Sequence, residues 1–379
     1  MTGTLNFAVP CLFGIEGLAA DELKRMDMKN VRAENGRVLF DGTEADLARA
    51  NICLATGERV TLLVGEARAE TFDMLFEAVR AMEWERYLPK NAAFPVSGHA
   101  LSSQLHSVPD CQKIIKKAIS TRLTEKYKVE RHPEDGAEYK VRFTIMNDVA
   151  AIAIDTSGAG LHKRGYRPVT ADTAAVAAPL SETLAAAMVR VARYRGRGPL
   201  RDPFCGSGTI AIEAALAALN RAPGCNRKFT AESWPNLPAG IWRAAREAAK
   251  SREYHGDYDI LGADIDPAAV DIANENARRA GVSQNVRFEV ADARAFAPAE
   301  PSGIVVTNPP YGERVMEKSD AERLYREFGA ATRGLKDWKI YLLSSHTEFE
   351  RSFGRQAVKK RKLYNGMIKC DLFMYYSSR

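Results

Sequence analysis

The stretch Leu200-Arg-Asp202-Pro-Phe204-Cys-Gly206-Ser-Gly208-Thr209-Ile-Ala-Ile-Glu213 decides how the chain folds. An apolar run ends at Asp202, two glycines follow one residue apart, and an Ala/Ile-rich run at helical spacing comes next. The pattern predicts a short strand, a glycine-rich turn and a helix. The first N–H groups of such a helix have no partner within it, and glycines let a ligand lie against the main chain where a Cβ would collide. The turn is therefore a cradle for a bound cofactor.

Gly206, Gly208 and Ala211 also satisfy the G-x-G-x-x-G/A spacing of dinucleotide sites, which keeps a nicotinamide or flavin enzyme in view. That spacing calls for an acidic residue about 20 positions further on. The next candidate, Asp264, lies far beyond. Asp202, just before the turn, suits a ligand carrying an amino group and a sulfonium charge and would repel a pyrophosphate.

With 379 residues, two or three domains are expected. An apolar fraction of 46% suffices for buried cores, and 27% charged residues is the level of a soluble protein. No run approaches 18 uninterrupted apolar residues, and Val9–Ile15 lacks the flanks of a cleaved signal, so a cytoplasmic protein is expected. Six scattered cysteines form no C-x-x-C pair, which argues against a zinc site and a disulfide framework and suits small buried residues. The net charge of +6 is unevenly placed: Arg351–Arg379 holds eight Lys or Arg against one Asp, and Ser157–Asp202 holds eight against three acids. Such clustering is the footprint of a polyanion-binding protein.

Residues 1–60 alternate short apolar runs with a helical stretch, and 61–155 repeat the style, so each reads as a small α+β unit. Within the second, 110–123 reads as a helix with Ile114, Ile115, Ala118, Ile119 and Leu123 inward and Lys113, Lys116, Lys117 and Arg122 outward, a basic face. Asn147-Asp148 predicts a hairpin turn. Residues 156–178, glycine-rich and basic through Lys163, Arg164 and Arg167, read as a linker whose cations are either plain linker charge or ligands for phosphates. From 179 to 379 strands and helices alternate, which predicts an α/β domain with a mostly parallel sheet. Residues 220–257 interrupt it as an insertion packed on that domain, with Trp234 and Trp242 as core residues. Lys359, Lys360, Arg361 and Lys362 open a closing hairpin around Asn365-Gly366.

Ligands of open parallel sheets bind outside the carboxyl ends of the strands, near the point where strand order reverses. Asp202, Asp264, Asp292 and Asn308 each end a predicted strand. Asp264 would accept two ribose hydroxyls and Asp292 an adenine amino group. The arrangement resembles the class I S-adenosylmethionine-dependent methyltransferases, and Asn308-Pro309-Pro310-Tyr311 resembles the tetrapeptide of those that methylate exocyclic amines. An aryl amine is a weak nucleophile because its lone pair is delocalised. The resemblance implies that the Asn308 side-chain oxygen and the Pro309 carbonyl accept its hydrogens, that Pro310 stiffens the loop, and that Tyr311 stacks on an extruded base. No cysteine follows the prolines, which argues against the covalent chemistry of C5-pyrimidine enzymes.

A closer resemblance rests on Leu161-His-Lys-Arg-Gly-Tyr-Arg167, Ala178-Pro-Leu-Ser-Glu-Thr-Leu184, Asp202–Thr209 and Asn308-Pro-Pro-Tyr-Gly-Glu-Arg314. These look like the RNA guanine-N2 methyltransferases that carry a THUMP domain and act on 23S ribosomal or transfer RNA. It implies a Rossmann-like, seven-stranded class I methyltransferase domain preceded by a ferredoxin-like unit and a THUMP fold. It assigns S-adenosylmethionine to Asp202, Phe204, Gly206, Gly208, Thr209, Asp264, Ile265, Asp292 and Asn308, and needs no metal. RNA is the implied partner of the basic residues named above. The best-known ribosomal members carry a second methyltransferase domain, and this sequence ends at Arg379. DNA amino-methylation, protein glutamine methylation and a catalytically inactive RNA-binding role are the competing readings.

Overall fold

A computed structural model describes residues 3–167, 180–311 and 318–376. Pro168, Ala178, Pro179, Gly312, Glu313, Arg314 and the second half of the predicted linker lie outside them. The chain divides into two units, each built on a seven-stranded sheet.

The first unit comprises Met1–Cys11, Ala20–Leu161 and Arg227–Ala248. Its strands are β1 (Leu5–Pro10), β2 (Lys29–Glu34), β3 (Arg37–Gly42), β4 (Thr61–Arg68), β5 (Val96–Leu101), β6 (Val141–Met146) and β7 (Val149–Asp155), in the order β2-β3-β1-β4-β7-β6-β5. Phe7 faces Leu62 and Ala8 faces Thr61 across β1 and β4, so the two predicted α+β pieces share one sheet. The chain also forms α1 (Glu16–Arg25), α2 (Glu44–Cys53), α3 (Phe72–Ala81) and α4 (Val108–Tyr127). On α4, Ile115, Ala118, Ile119 and Leu123 are buried as their spacing predicts. Asn147 and Asp148 both take positive φ, which gives the β6–β7 hairpin its two-residue turn.

Of the predicted insertion 220–257, residues 227–248 belong to this unit and the flanking 220–226 and 249–257 to the second. Trp234 stacks on Tyr139 with ring centroids 4.3 Å apart and donates Nε1–H to the Glu138 carbonyl, while Trp242 stacks on Phe229. Both tryptophans are core residues, as expected. Their apolarity announces burial; which sheet receives them is set by partners far away in sequence.

The second unit comprises Leu12–Ala19, His162–Asn226 and Ala249–Arg379. In chain order it contains α5 (Glu182–Val191), β8 (Leu200–Asp202), α6 (Thr209–Ala218), β9 (Ile260–Asp264), α8 (Pro267–Ala280), β10 (Arg287–Val290), β11 (Ser302–Thr307), α9 (Lys318–Ala331), β12 (Asp337–Ser344), α10 (Phe349–Phe353), β13 (Lys359–Asn365) and β14 (Ile368–Tyr375); α7 is Ile241–Lys250. The sheet order is β10-β9-β8-β11-β12-β14-β13. The first five run parallel and β14 enters antiparallel between β12 and β13. Strand order reverses between β8 and β11, the place where such sheets hold ligands. Helix α8 shows why its boundaries were readable: Asp266 caps it by accepting from Ala268 N, Pro267 opens it, and Gly281 closes it at φ +70°. An aromatic core of Tyr325, Phe328, Phe349, Phe353, Phe373 and Trp338 holds α9 and α10 to β12 and β14.

Candidate active site

Three hydrogen bonds stitch the ends of four parallel strands together. Thr307 Oγ1, at the end of β11, donates to Asp202 Oδ1 at 2.7 Å, joining β11 to β8. Gly206 N donates to Asp264 Oδ2 at 2.9 Å, joining the glycine turn to β9. Ala291 N donates to the Asp264 carbonyl at 3.0 Å, which brings Asp292 alongside. The predicted residues Asp202, Gly206, Asp264, Asp292 and Asn308 therefore stand on one rim.

The turn itself needs its glycines for two different reasons. Both have positive φ, +49° at Gly206 and +81° at Gly208. A Cβ at Gly208 would approach Phe288 and Ala273 within 2.9 Å, so this glycine serves close packing of helix on strand. A Cβ at Gly206 would meet nothing within 4 Å, so the space above it is open. Thr209, predicted to touch the cofactor, is the buried first residue of α6, and its hydroxyl lies 3.4 Å from that of Ser207. Phe204, half-buried, sets its ring edge-on to Phe328 with centroids 5.1 Å apart, and its backbone N–H donates to Asp202 Oδ1 at 3.4 Å. Phe204 reads as a turn residue in sequence, but its ring is more stable against Phe328 than in water.

Asp202 is buried, and its Oδ2 has no hydrogen-bond partner among the described residues. Burial pushes its carboxyl up to about 7. An orphaned, reluctant carboxylate at a strand end is the complement of a ligand ammonium. Asp264 accepts from Gly206 N on Oδ2 and Asp266 N on Oδ1, which leaves one lone pair on each oxygen. Asp292 is engaged differently: both its oxygens accept from Arg294 Nε, at 2.9 and 2.8 Å, and it caps the short turn Ala293–Ala295. The neighbouring guanidinium holds its carboxyl below the usual range. Ile265 and Val290, 62% and 55% exposed, leave apolar surface on the rim where a flat base would cover it. A cavity of about 310 Å³ lies beside Asp202 and Asp292, walled by Ala263, Ala293 and Phe296.

The tetrapeptide leaves β11 directly. Asn308 Oδ1 accepts from the Tyr311 hydroxyl, and Tyr311 also reaches Asn365 and Cys370 on the closing hairpin. Tyr311 is half-buried against that hairpin. Tyr325 Oη donates to the Pro310 carbonyl at 2.5 Å and anchors the loop to α9. Neither Thr307 nor Tyr325 was singled out in the sequence. Adjacency to Asn308 was the available signal for Thr307, and Tyr325 gives none beyond an apolar helix position.

The predicted phosphate-binding cations divide in two. Arg122 forms a bidentate pair with Glu85, at 3.0 and 2.7 Å, and holds the Glu85 carboxyl down at about 2; Lys116 pairs with Glu134. Arg164 is buried against Glu213, Arg167 binds Glu182, Lys360 binds Glu350, and Arg361 donates to the Gly14 carbonyl. These six are engaged within their own units, five by a carboxylate and Arg361 by a carbonyl. Lys113, Lys117, Lys163, Lys359 and Lys362 remain at the surface.

Comparison with known proteins fits this geometry. Residues 164–373 match a family described as RMKL-like, methyltransferase domain; 6–61 match the RlmL ferredoxin-like domain and 69–155 the THUMP domain. The putative RNA methyltransferase YpsC of Bacillus subtilis is 43% identical over 371 residues, covering 96% of this chain and 94% of its own. The ribosomal RNA large subunit methyltransferase K/L of Shewanella baltica is 34% identical over 380 residues, 98% of this chain but 53% of its own, so the chain spans about half the length of that relative. The crystal structure of SMU.472, a putative methyltransferase complexed with SAH, superposes with a TM-score of 0.93 at 38% identity over the whole of both chains. The glycine turn and the strand-end acids thus lie in a domain shared along its full length with these proteins, and the chain belongs to the RMKL-like methyltransferase family.

Proposed function

We propose that the protein is an RNA methyltransferase that transfers the methyl of S-adenosylmethionine to the exocyclic N2 of a guanine in 23S ribosomal RNA. The observation that carries the reading is the bond from Thr307 to Asp202, which ties the amine-accepting loop to the strand end beside the glycine turn. The orphaned Asp202 oxygen, the open space above Gly206 and the exposed Ile265 fit the amino group, the sulfur-bearing chain and the adenine of that cofactor. Its sulfonium supplies an electrophilic methyl when bound. Asp202 would hold the ammonium, Asp264 the ribose, and Ile265 with Asp292 the adenine, Asp292 sharing its lone pairs with Arg294.

The protein's own task is to make a flat amine nucleophilic. Asn308 Oδ1 and the Pro309 carbonyl accept its two hydrogens, which disfavours delocalisation into the ring and stabilises positive charge on nitrogen. Asn308 Oδ1 keeps one lone pair for the amine while it accepts from the Tyr311 hydroxyl, and a turn of that side chain away from Asn308 would make its ring available to the base. The THUMP match and the RNA-named relatives support RNA over DNA or a protein amide.

Transfer of labelled methyl to total RNA, DNA and protein, followed by mass spectrometry of digested RNA, tests the reading. Label in 2-methylguanosine is expected. Asn308→Ala should lower kcat by at least about a hundredfold, the scale of losing one transition-state hydrogen bond, with cofactor affinity little changed. Label confined to DNA or protein, or full activity in Asn308→Ala, would overturn it.

A further inference from the structure

The loop before α1 does something that packing alone does not explain. Gly14, at φ +89°, lies so close to β13 that a Cβ there would come within 2.4 Å of the Lys362 carbonyl. Arg361 Nε donates to the Gly14 carbonyl at 2.9 Å, and Gly14 N donates to Glu16 Oε2 at 2.9 Å. This pinned loop holds Phe13 out at the sheet edge, 52% exposed, edge-on to Tyr364 with centroids 6.1 Å apart. Leaving half a phenyl ring in water forgoes much of its burial free energy, yet the backbone is fastened to keep it there. Met367, at the tip of the hairpin, is 98% exposed.

Cations surround these rings. Lys369 lies directly across from Tyr364 in the β13–β14 register, and Lys362, two residues from Tyr364, shares its face of the strand. Lys362 stands across the hairpin from Asp371, but neither lysine is within ion-pair distance of a carboxylate among the described residues. The other face of the same hairpin touches the catalytic loop, since Tyr311 reaches Asn365 and Cys370, so the two rings flank that loop across the edge strand. Aromatic faces flanked by unpaired lysines match unstacked bases and their phosphates, the combination that holds single-stranded RNA.

We infer that Phe13 and Tyr364 form a stacking platform for an unpaired nucleotide flanking the target base, with Lys362 and Lys369 on its phosphates. The inference rests on the RNA reading above and adds a specificity-determining surface to it. A residue from the start of the chain thereby helps select the substrate of the catalytic unit.

The test is steady-state methylation of ribosomal RNA by the full chain and by Phe13→Leu, Phe13→Trp and Tyr364→Ala. Calorimetry with S-adenosylhomocysteine and sedimentation accompany each variant. Phe13→Leu keeps apolar bulk for folding but has no flat face. It and Tyr364→Ala should raise KM for RNA about tenfold, the scale of one lost base stack. Their kcat and S-adenosylhomocysteine affinity should stay within about twofold, and Phe13→Trp should restore KM. An unchanged KM in folded Phe13→Leu and Tyr364→Ala would overturn the platform while leaving the RNA reading intact. A shift from dimer to monomer in those variants would also overturn it, by making the patch an interface between copies. Wild-type protein that methylates no RNA would defeat the earlier reading, and the platform with it.

Discussion

Asp202 holds a carboxylate where burial opposes its charge, and the conflict has a measurable sign. Its carboxyl sits at about 7 in the folded chain against 3.8 for an exposed aspartate. A group raised in this way costs nothing below the lower value, costs more as pH rises between the two, and costs most above about 7. The penalty at pH 8 is on the order of a few kcal/mol. Asp202→Asn can still accept from Phe204 N and Thr307, so the variant without cofactor should melt higher than wild type at pH 8, with the gain shrinking toward pH 4. Its S-adenosylhomocysteine affinity should fall. In wild type that affinity should weaken by up to about tenfold per unit as pH drops below 7, because the carboxylate must shed a proton to meet an ammonium, and the Asp202→Asn variant should lack this slope. Melting curves and calorimetry at pH 5, 6.5 and 8 check both; an Asp202→Asn protein that binds as wild type does would remove Asp202 from the site. This residue was legible because its position before the glycine turn is local information. The partners of Arg122 and Arg164 were not, since Glu85 and Glu213 lie 37 and 49 positions away and only the fold brings them near.

Secondary-structure elements whose signals sit at their own ends were read closely. Helix α8 announces itself through Asp266, Pro267 and Gly281, and the closing hairpin through Asn365-Gly366. What an element does for its neighbours is written elsewhere. Tyr325 on α9 is one more buried aromatic in a periodic helix, yet its hydroxyl grips the Pro310 carbonyl and also meets Ser344 at the end of β12. Burial lifts that hydroxyl to about 12, so it stays protonated and donating at any working pH. Tyr325→Phe removes the grip and keeps the ring in its cluster. Stability should fall by only about 1–2 kcal/mol, while kcat should drop on the order of ten- to a hundredfold as the tetrapeptide loses its fixed position. KM for cofactor should hold, since none of its expected contacts is touched. Equal losses in kcat and in melting temperature for a more conservative Ser344→Ala would argue instead for general loosening of β12.

For the whole molecule the relevant quantity is charge that is still available. A net charge of +6 and two basic stretches point to a polyanion, but five of the cations assigned to RNA from sequence already face a carboxylate inside their own units. Counterion release depends only on cations that reach phosphates, so binding strength should track Lys117 and Lys113, whose 3.6 Å pair with Asp110 is exposed to water, in the first unit and Lys359 and Lys362 in the second. Replacing either pair by alanine should reduce the slope of log Kd against log salt by about 0.7–0.9 per lysine, uniformly across RNA sequences. Replacing Lys116 and Arg122 should leave that slope within error and instead lower the melting temperature, because Glu134 and Glu85 lose their partners. Filter binding from about 50 to 300 mM KCl distinguishes the two sets. A slope that flattens equally for Lys116→Ala and Lys117→Ala would mean that the ion pairs open on binding, and that the basic face of α4 acts as the unbroken stripe its sequence suggests.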